Sequence, residues 1–109
     1  MNDTDAKSEL KWYRVAALDE LAEGGVKKVV AGTKTIALTH FEGEYGALDN
    51  TCPHMGGPLA EGTIEYGVLV CPWHGREYHP VTGRCESYEE QAATLPVDVR
   101  GDGIYVGVE

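Results

Sequence analysis

An antiparallel all-β domain with a Gly- and Pro-rich insertion is the fold class this sequence predicts, and three observations predict it. Short runs rich in Val, Ile and Thr alternate with Gly-containing turn pairs, the pattern of strands joined by tight connections. Fourteen Gly and five Pro suit many tight turns and argue against a helical bundle. The 109 residues, 42% of them apolar, make one compact domain and leave no room for two cores of ordinary size.

The elements follow in order. Residues 12–16 read as a first strand, and a loop or short helical turn runs through Leu18, Leu21 and Gly24-Gly25. Residues 26–31 and 34–39 form two β-type runs around Gly32-Thr33, and 44–48 a third after the turn Glu42-Gly43. These three are expected to form a meander whose faces draw on Ile36, Leu38, Tyr45 and Ala47. From Asp49 to about Ser87 Gly and Pro become dense, with short strands expected at 68–71 and 76–79. Residues 94–100 and 104–108, joined by Gly101-Asp102-Gly103, read as a closing hairpin. The expected plan is one domain over 1–109, with 10–49 and 89–109 as β scaffold and 50–88 as the insertion. No internal repeat is evident.

Charge narrows the function. The net charge of −9 repels phosphate backbones, so nucleic-acid binding is not expected. Lys27-Lys28 is the only basic pair and reads as two solvated side chains on or beside an edge strand. The acidity suits solubility or docking on a basic protein. The polar first eleven residues lack the apolar region of a secretory signal, and nothing approaches the roughly 18 consecutive apolar residues of a membrane span. The expectation is a soluble cytoplasmic protein with no membrane association. Three Cys is an odd number for a disulfide framework, so the thiols read as ligands or buried side chains.

The chemistry concentrates in Cys52-Pro53-His54-Met55-Gly56-Gly57-Pro58-Leu59 and Cys71-Pro72-Trp73-His74-Gly75. The spacing is Cys-x-His, sixteen residues, then Cys-x-x-His. A thiolate and an imidazole two or three positions apart on a tight loop can address one metal centre. Pro53 and Pro72 stiffen the loops, while Gly56, Gly57 and Gly75 permit a close backbone with amides aimed at sulfur. Two facing loops thus offer two sulfur and two nitrogen donors.

These motifs resemble the Rieske domain family. The match extends to Leu59 after Gly-Gly-Pro, Tyr78 after His74-Gly75, the turn Val81-Thr82-Gly83, and Leu95-Pro96 before the last hairpin. The resemblance implies a Rieske-like antiparallel β-sandwich or barrel whose insertion is a cluster-binding subdomain. It also implies one [2Fe–2S] cluster, with Cys52 and Cys71 on the inner iron and His54 and His74 on the outer. Neutral imidazoles in place of two thiolates ease electron uptake, so such centres lie at roughly −150 to +300 mV against about −400 mV for plant-type ferredoxins.

Other readings are weaker. Zinc also takes two Cys and two His, but zinc fingers usually pair like with like, and each loop here carries one of each. Cys–His catalysis lacks a third orienting group or an oxyanion site. Cys85 lies outside both loops and reads as a small buried side chain; His79 and His40 read as ordinary polar residues. Trp73 is either core or a shield over the cluster.

The respiratory branch of the family carries a disulfide between the two loops, where this chain has Gly57 and Trp73, and a Ser where it has Arg76. It is usually membrane-anchored. The differences point to the ferredoxin branch, and hence to a one-electron carrier from a flavoprotein reductase to a terminal oxygenase rather than an enzyme in itself. The oxygenase would need a second domain with a His/His/carboxylate iron site. The alternative is a small subunit of a larger oxidoreductase, such as assimilatory nitrite reductase.

Overall fold

The computed structural model describes residues 10–52, 56–73, 75–85 and 91–108. Its described strands, in chain order, are β1 (Lys11–Ala16), β2 (Val26–Ala31), β3 (Lys34–Phe41), β4 (Glu44–Asp49), β5 (Thr63–Glu65), β6 (Val68–Val70), β7 (Glu77–Tyr78), β8 (Val97–Arg100) and β9 (Gly103–Val108). They make three antiparallel sheets, in the orders β1-β9-β8, β2-β3-β4 and β5-β6-β7. A 3₁₀ turn, Leu59–Glu61, leads into the last of these.

The expected meander is β2-β3-β4, and its turns follow from local chemistry. Phe41 pairs with Glu44 across Glu42-Gly43, whose φ values of 52° and 79° match the twist of the flanking strands. Glu23 reaches over from the preceding loop to accept the Glu42 and Gly43 amides at 2.6 and 3.0 Å. These two bonds, Gly43 first, hold the Glu23 carboxyl below its usual range.

The middle sheet separates two cores. Ile36, Leu38 and Ala47 face Val29, Ala31, Ile104 and Val106, with Tyr45 packed beside them. Their chain neighbours Ala37 and Leu48 point the other way, onto Cys52, Leu59, Leu69, Cys71, Tyr78 and Cys85. Successive strand residues face opposite sides, so a strand buried on both faces reads as a continuous apolar run, as 36–38 does. The second core is therefore built onto the back of the first, and it contains the thiols.

Strand limits differ from expectation where the backbone lacks a donor. The run 94–100 begins as a strand only at Val97, because Pro96 has no N–H to give. Leu95 N instead bonds Ala47 O at 2.9 Å, and Thr94 bridges Leu48 singly. The runs expected at 68–71 and 76–79 shorten to β6 and β7, since Cys71 and His79 open loops. Strand β5 was not expected: three residues are too few for a periodic signal. Its turn to β6, Tyr66-Gly67, has φ values of 51° and 82°. The first strand pairs with the last rather than with its chain neighbours.

Candidate metal centre

Cys52 opens a loop after β4. Asn50 secures it by accepting Leu59 N on its backbone oxygen (2.8 Å) and Ala60 N on its side chain (2.7 Å). Cys71 opens the loop between β6 and β7, whose Leu69–Tyr78 and Val70–Glu77 pairs form its stem.

The two loops close in the same way. Cys52 N bonds Gly57 O at 2.8 Å, and Gly56 N bonds Cys52 O at 2.7 Å. In the second loop Cys71 N bonds Arg76 O at 2.8 Å, and Gly75 N bonds Cys71 O at 3.1 Å. The fifth residue, Gly56 or Gly75, has φ of 79° or 71°, a region that glycine enters without strain. Both sulfurs are thereby turned inward, each Cys being 2% exposed.

The loops touch at Gly57. A Cβ there would lie 3.0 Å from Cys71 Sγ and 2.9 and 3.0 Å from Trp73 Cγ and Cβ. Positions 57 and 73 do stand side by side, and a glycine is what lets the loops meet. Trp73 itself is 51% exposed, so it lies over the loops at the surface and not in the core.

The sulfurs sit in a polarised but largely apolar pocket. Tyr78, fully buried, brings its hydroxyl 3.1 Å from Cys52 Sγ. Burial pushes the Cys71 thiol up, the Trp73 backbone amide pulls it down, and neighbouring Cys52 pushes it up again. Burial thus disfavours the Cys71 thiolate, and a bound metal cation would offset that cost. The donor set fits an iron–sulfur group: paired soft sulfurs, an amide and a hydroxyl directed at them, and water kept out.

His54 and His74 lie outside the described residues, as does Pro53. Cys85 is buried in the same core, as expected. His40 is an ordinary polar residue: its Nδ1 lies 2.9 Å from Leu21 O, and its ring stacks on Tyr45. Lys27 pairs with Glu20 at 3.2 Å.

The turn Val81-Thr82-Gly83 noted in the sequence belongs to a third loop of the same kind, a likeness that sequence reading missed. His79 N bonds Arg84 O at 2.8 Å, Gly83 N bonds His79 O at 2.9 Å, and Gly83 has φ of 76°. This closure matches that of the two Cys loops. The signal was present as x-Pro-x-x-Gly at 52–56, 71–75 and 79–83, a five-residue repeat hidden because its first residue changes from Cys to His. The Tyr78 contact with Cys52 was also missed, since nothing local in the sequence links residues 26 positions apart.

Comparison with known proteins gives a consistent picture. The model of the Rieske [2Fe–2S] domain family matches residues 11–99. The chain is 34% identical to the ferredoxin component of a naphthalene 1,2-dioxygenase system from Pseudomonas aeruginosa, covering 88% of this chain and 94% of that one. It is 36% identical to a 3-phenylpropionate/cinnamic acid dioxygenase ferredoxin subunit from Photorhabdus laumondii, covering 86% and 91%. Among solved structures, the complex of reduced oxygenase and oxidized ferredoxin in carbazole 1,9a-dioxygenase holds a chain with a TM-score of 0.76 and 26% identity, covering 87% of this chain and 91% of that one. Among the described residues no helix is long and apolar enough to cross a membrane.

Proposed function

The chain belongs to the Rieske [2Fe–2S] domain family, and on that footing we propose that it is the ferredoxin of a ring-hydroxylating dioxygenase system. It takes single electrons from a flavoprotein reductase and passes them to a terminal oxygenase in the cytoplasm, without nucleic acid or membrane. One [2Fe–2S] cluster is held by Cys52 and Cys71 on one iron and by His54 and His74 on the other. The whole of 1–109 acts as one domain, with 50–88 carrying the cluster on the scaffold of 10–49 and 89–109.

The observation that carries this reading is the pairing of two identically closed loops that touch at Gly57 and bring their buried thiols beside one another, in a chain spanning nearly all of its ferredoxin relatives. The cluster, when bound, accepts and releases one electron without bond rearrangement in a substrate. The protein's part is to present sulfur while excluding water. Leu48, Leu59 and Leu69 pack behind the thiols, Gly57 lets the loops close, and the Tyr78 hydroxyl, 3.1 Å from Cys52 Sγ, would donate to that sulfur as a cluster-bound thiolate.

Purified protein should contain two irons and two sulfides per chain, on the order set by one such cluster, and show the low-average-g resonance of histidine ligation. With a flavoprotein reductase, reduced nicotinamide and a ring-hydroxylating oxygenase, it should restore product formation that is absent when it is omitted. A zinc-loaded, colourless protein, or product formed from an arene by this chain alone, would overturn the proposal.

A further inference from the structure

We infer that His79 is a positioning residue for the Tyr78 hydroxyl: its imidazole closes the third x-Pro-x-x-Gly loop without any metal, and that loop fixes Tyr78 against the Cys52 sulfur. The inference rests on the iron–sulfur reading above, but the loop closure at its base does not.

The three loops share their frame and differ at the first residue. In the second loop the Cys71 sulfur receives the Trp73 amide, two positions on. In the third, His79 Nδ1 accepts the Val81 and Thr82 amides, two and three positions on, both at 3.1 Å. An accepting Nδ1 carries a lone pair, so the ring hydrogen sits on Nε2. The imidazole thus takes the place that the Cys71 sulfur takes in the second loop. The third loop is closed by groups of the polypeptide alone.

The closed loop is also bound to the scaffold. Thr39 Oγ1, fully buried, donates to Pro80 O at 2.6 Å. Gly46 of β4 lies so near that a Cβ would stand 2.7 Å from that oxygen and 2.9 Å from Val81 Cα. The far end is tied by Ala92 N to Gly83 O at 2.8 Å, and Phe41 meets the His79 ring edge-on at 5.7 Å.

Tyr78 is the residue immediately before this loop and the last of a two-residue strand. A strand that short sets the direction of a long side chain poorly. The pair with Leu69 holds one side of Tyr78, and the His79 loop holds the other. The tyrosine spans from there to Cys52 Sγ, so small backbone changes at 79 are magnified at the hydroxyl, where hydrogen-bond strength depends steeply on geometry. Hydrogen bonds to ligand sulfur raise the potential of an iron–sulfur centre by stabilising the added electron.

The test is a double-variant cycle in the iron-loaded protein, read as reduction potential by voltammetry. His79→Ala should move the potential negative, in the same direction as Tyr78→Phe. His79→Asn should restore the parent potential, because its side-chain carbonyl can accept the amide two residues on. In the Tyr78→Phe background, His79→Ala should add no further shift. Additive shifts, an unmoved potential in His79→Ala, or a His79→Asn potential as negative as that of His79→Ala would each overturn the inference. Should His79→Ala not fold, hydrogen exchange in the metal-free parent carries the test: protected Val81 and Thr82 amides support the inference, and amides exchanging as fast as an open chain overturn it. A parent that assembles no iron–sulfur cluster while keeping those amides protected would refute the proposed function and leave the loop closure standing.

Discussion

Replacing Gly57 with Ala tests whether the contact between the two Cys loops matters. Gly57 does not hold a positive φ, so alanine is conformationally allowed and the whole effect is steric. The new methyl would lie 3.0 Å from Cys71 Sγ and 2.9 Å from Trp73 Cγ, where ordinary contacts run 3.4–4 Å. The loops must part by roughly half an ångström or more, and neither neighbour yields easily: one is a buried sulfur, the other the base of a side chain. Overpacking of this kind costs about 1–3 kcal/mol. Against it, Gly→Ala lowers the entropy of the unfolded chain and returns about 0.4–1 kcal/mol. The net is a loss of about 0–2.6 kcal/mol, centred near 1.3, and each kcal/mol corresponds to roughly 4–8 °C in Tm for a domain near this size. The assay is a thermal melt of the metal-free chain, with iron and sulfide content of the loaded protein. Gly101→Ala is the control, since nothing lies within 4 Å of its Cβ position and its φ is not positive; it should leave Tm unchanged or slightly raised. A Gly57→Ala protein with full cluster content and a Tm at or above the parent's would refute the reasoning.

Tyr78→Phe removes the hydroxyl 3.1 Å from Cys52 Sγ; if that bond strengthens by about 1 kcal/mol on reduction, the potential falls by about 40 mV, and voltammetry showing no fall would count against it. Cys52→Ser and Cys71→Ser should each lose the iron, while Cys85→Ser keeps it, read by iron and sulfide analysis. Thr39→Val leaves the Pro80 oxygen without its buried donor and should cost about 1–3 kcal/mol in denaturant unfolding. Glu23 titrates below the ordinary carboxylate range, so its hold on the β3–β4 turn is present at neutral pH and lost as the pH falls through that lowered value. The protection of the Glu42 and Gly43 amides, measured against intrinsic exchange at each pH, should therefore fall in acid, and Glu23→Gln should show the same loss of protection already at neutral pH.

Much of this protein was legible before any coordinates. The Cys-x-His and Cys-x-x-His pieces, their prolines and glycines, and the Val-rich runs around Gly32 and Gly43 are local signals, each readable within a few residues. They determined the meander, the closing hairpin, the two loops and the candidate ligands, because a tight turn and a ligand loop are made by neighbours in sequence. Tertiary structure decided what depends on distant residues meeting. The pairing of β1 with β9, the burial of 36–38 on both faces, and the reach of Tyr78 to Cys52 all join positions far apart in the chain. So does the exposure of Trp73, which sequence left open between core and shield. The third loop lies between these cases: its Pro and Gly are local, but that its histidine does the work of a sulfur is visible only from where the Val81 and Thr82 amides point. Hydrogen-bond direction is a property of the folded backbone, and residue type alone does not encode it.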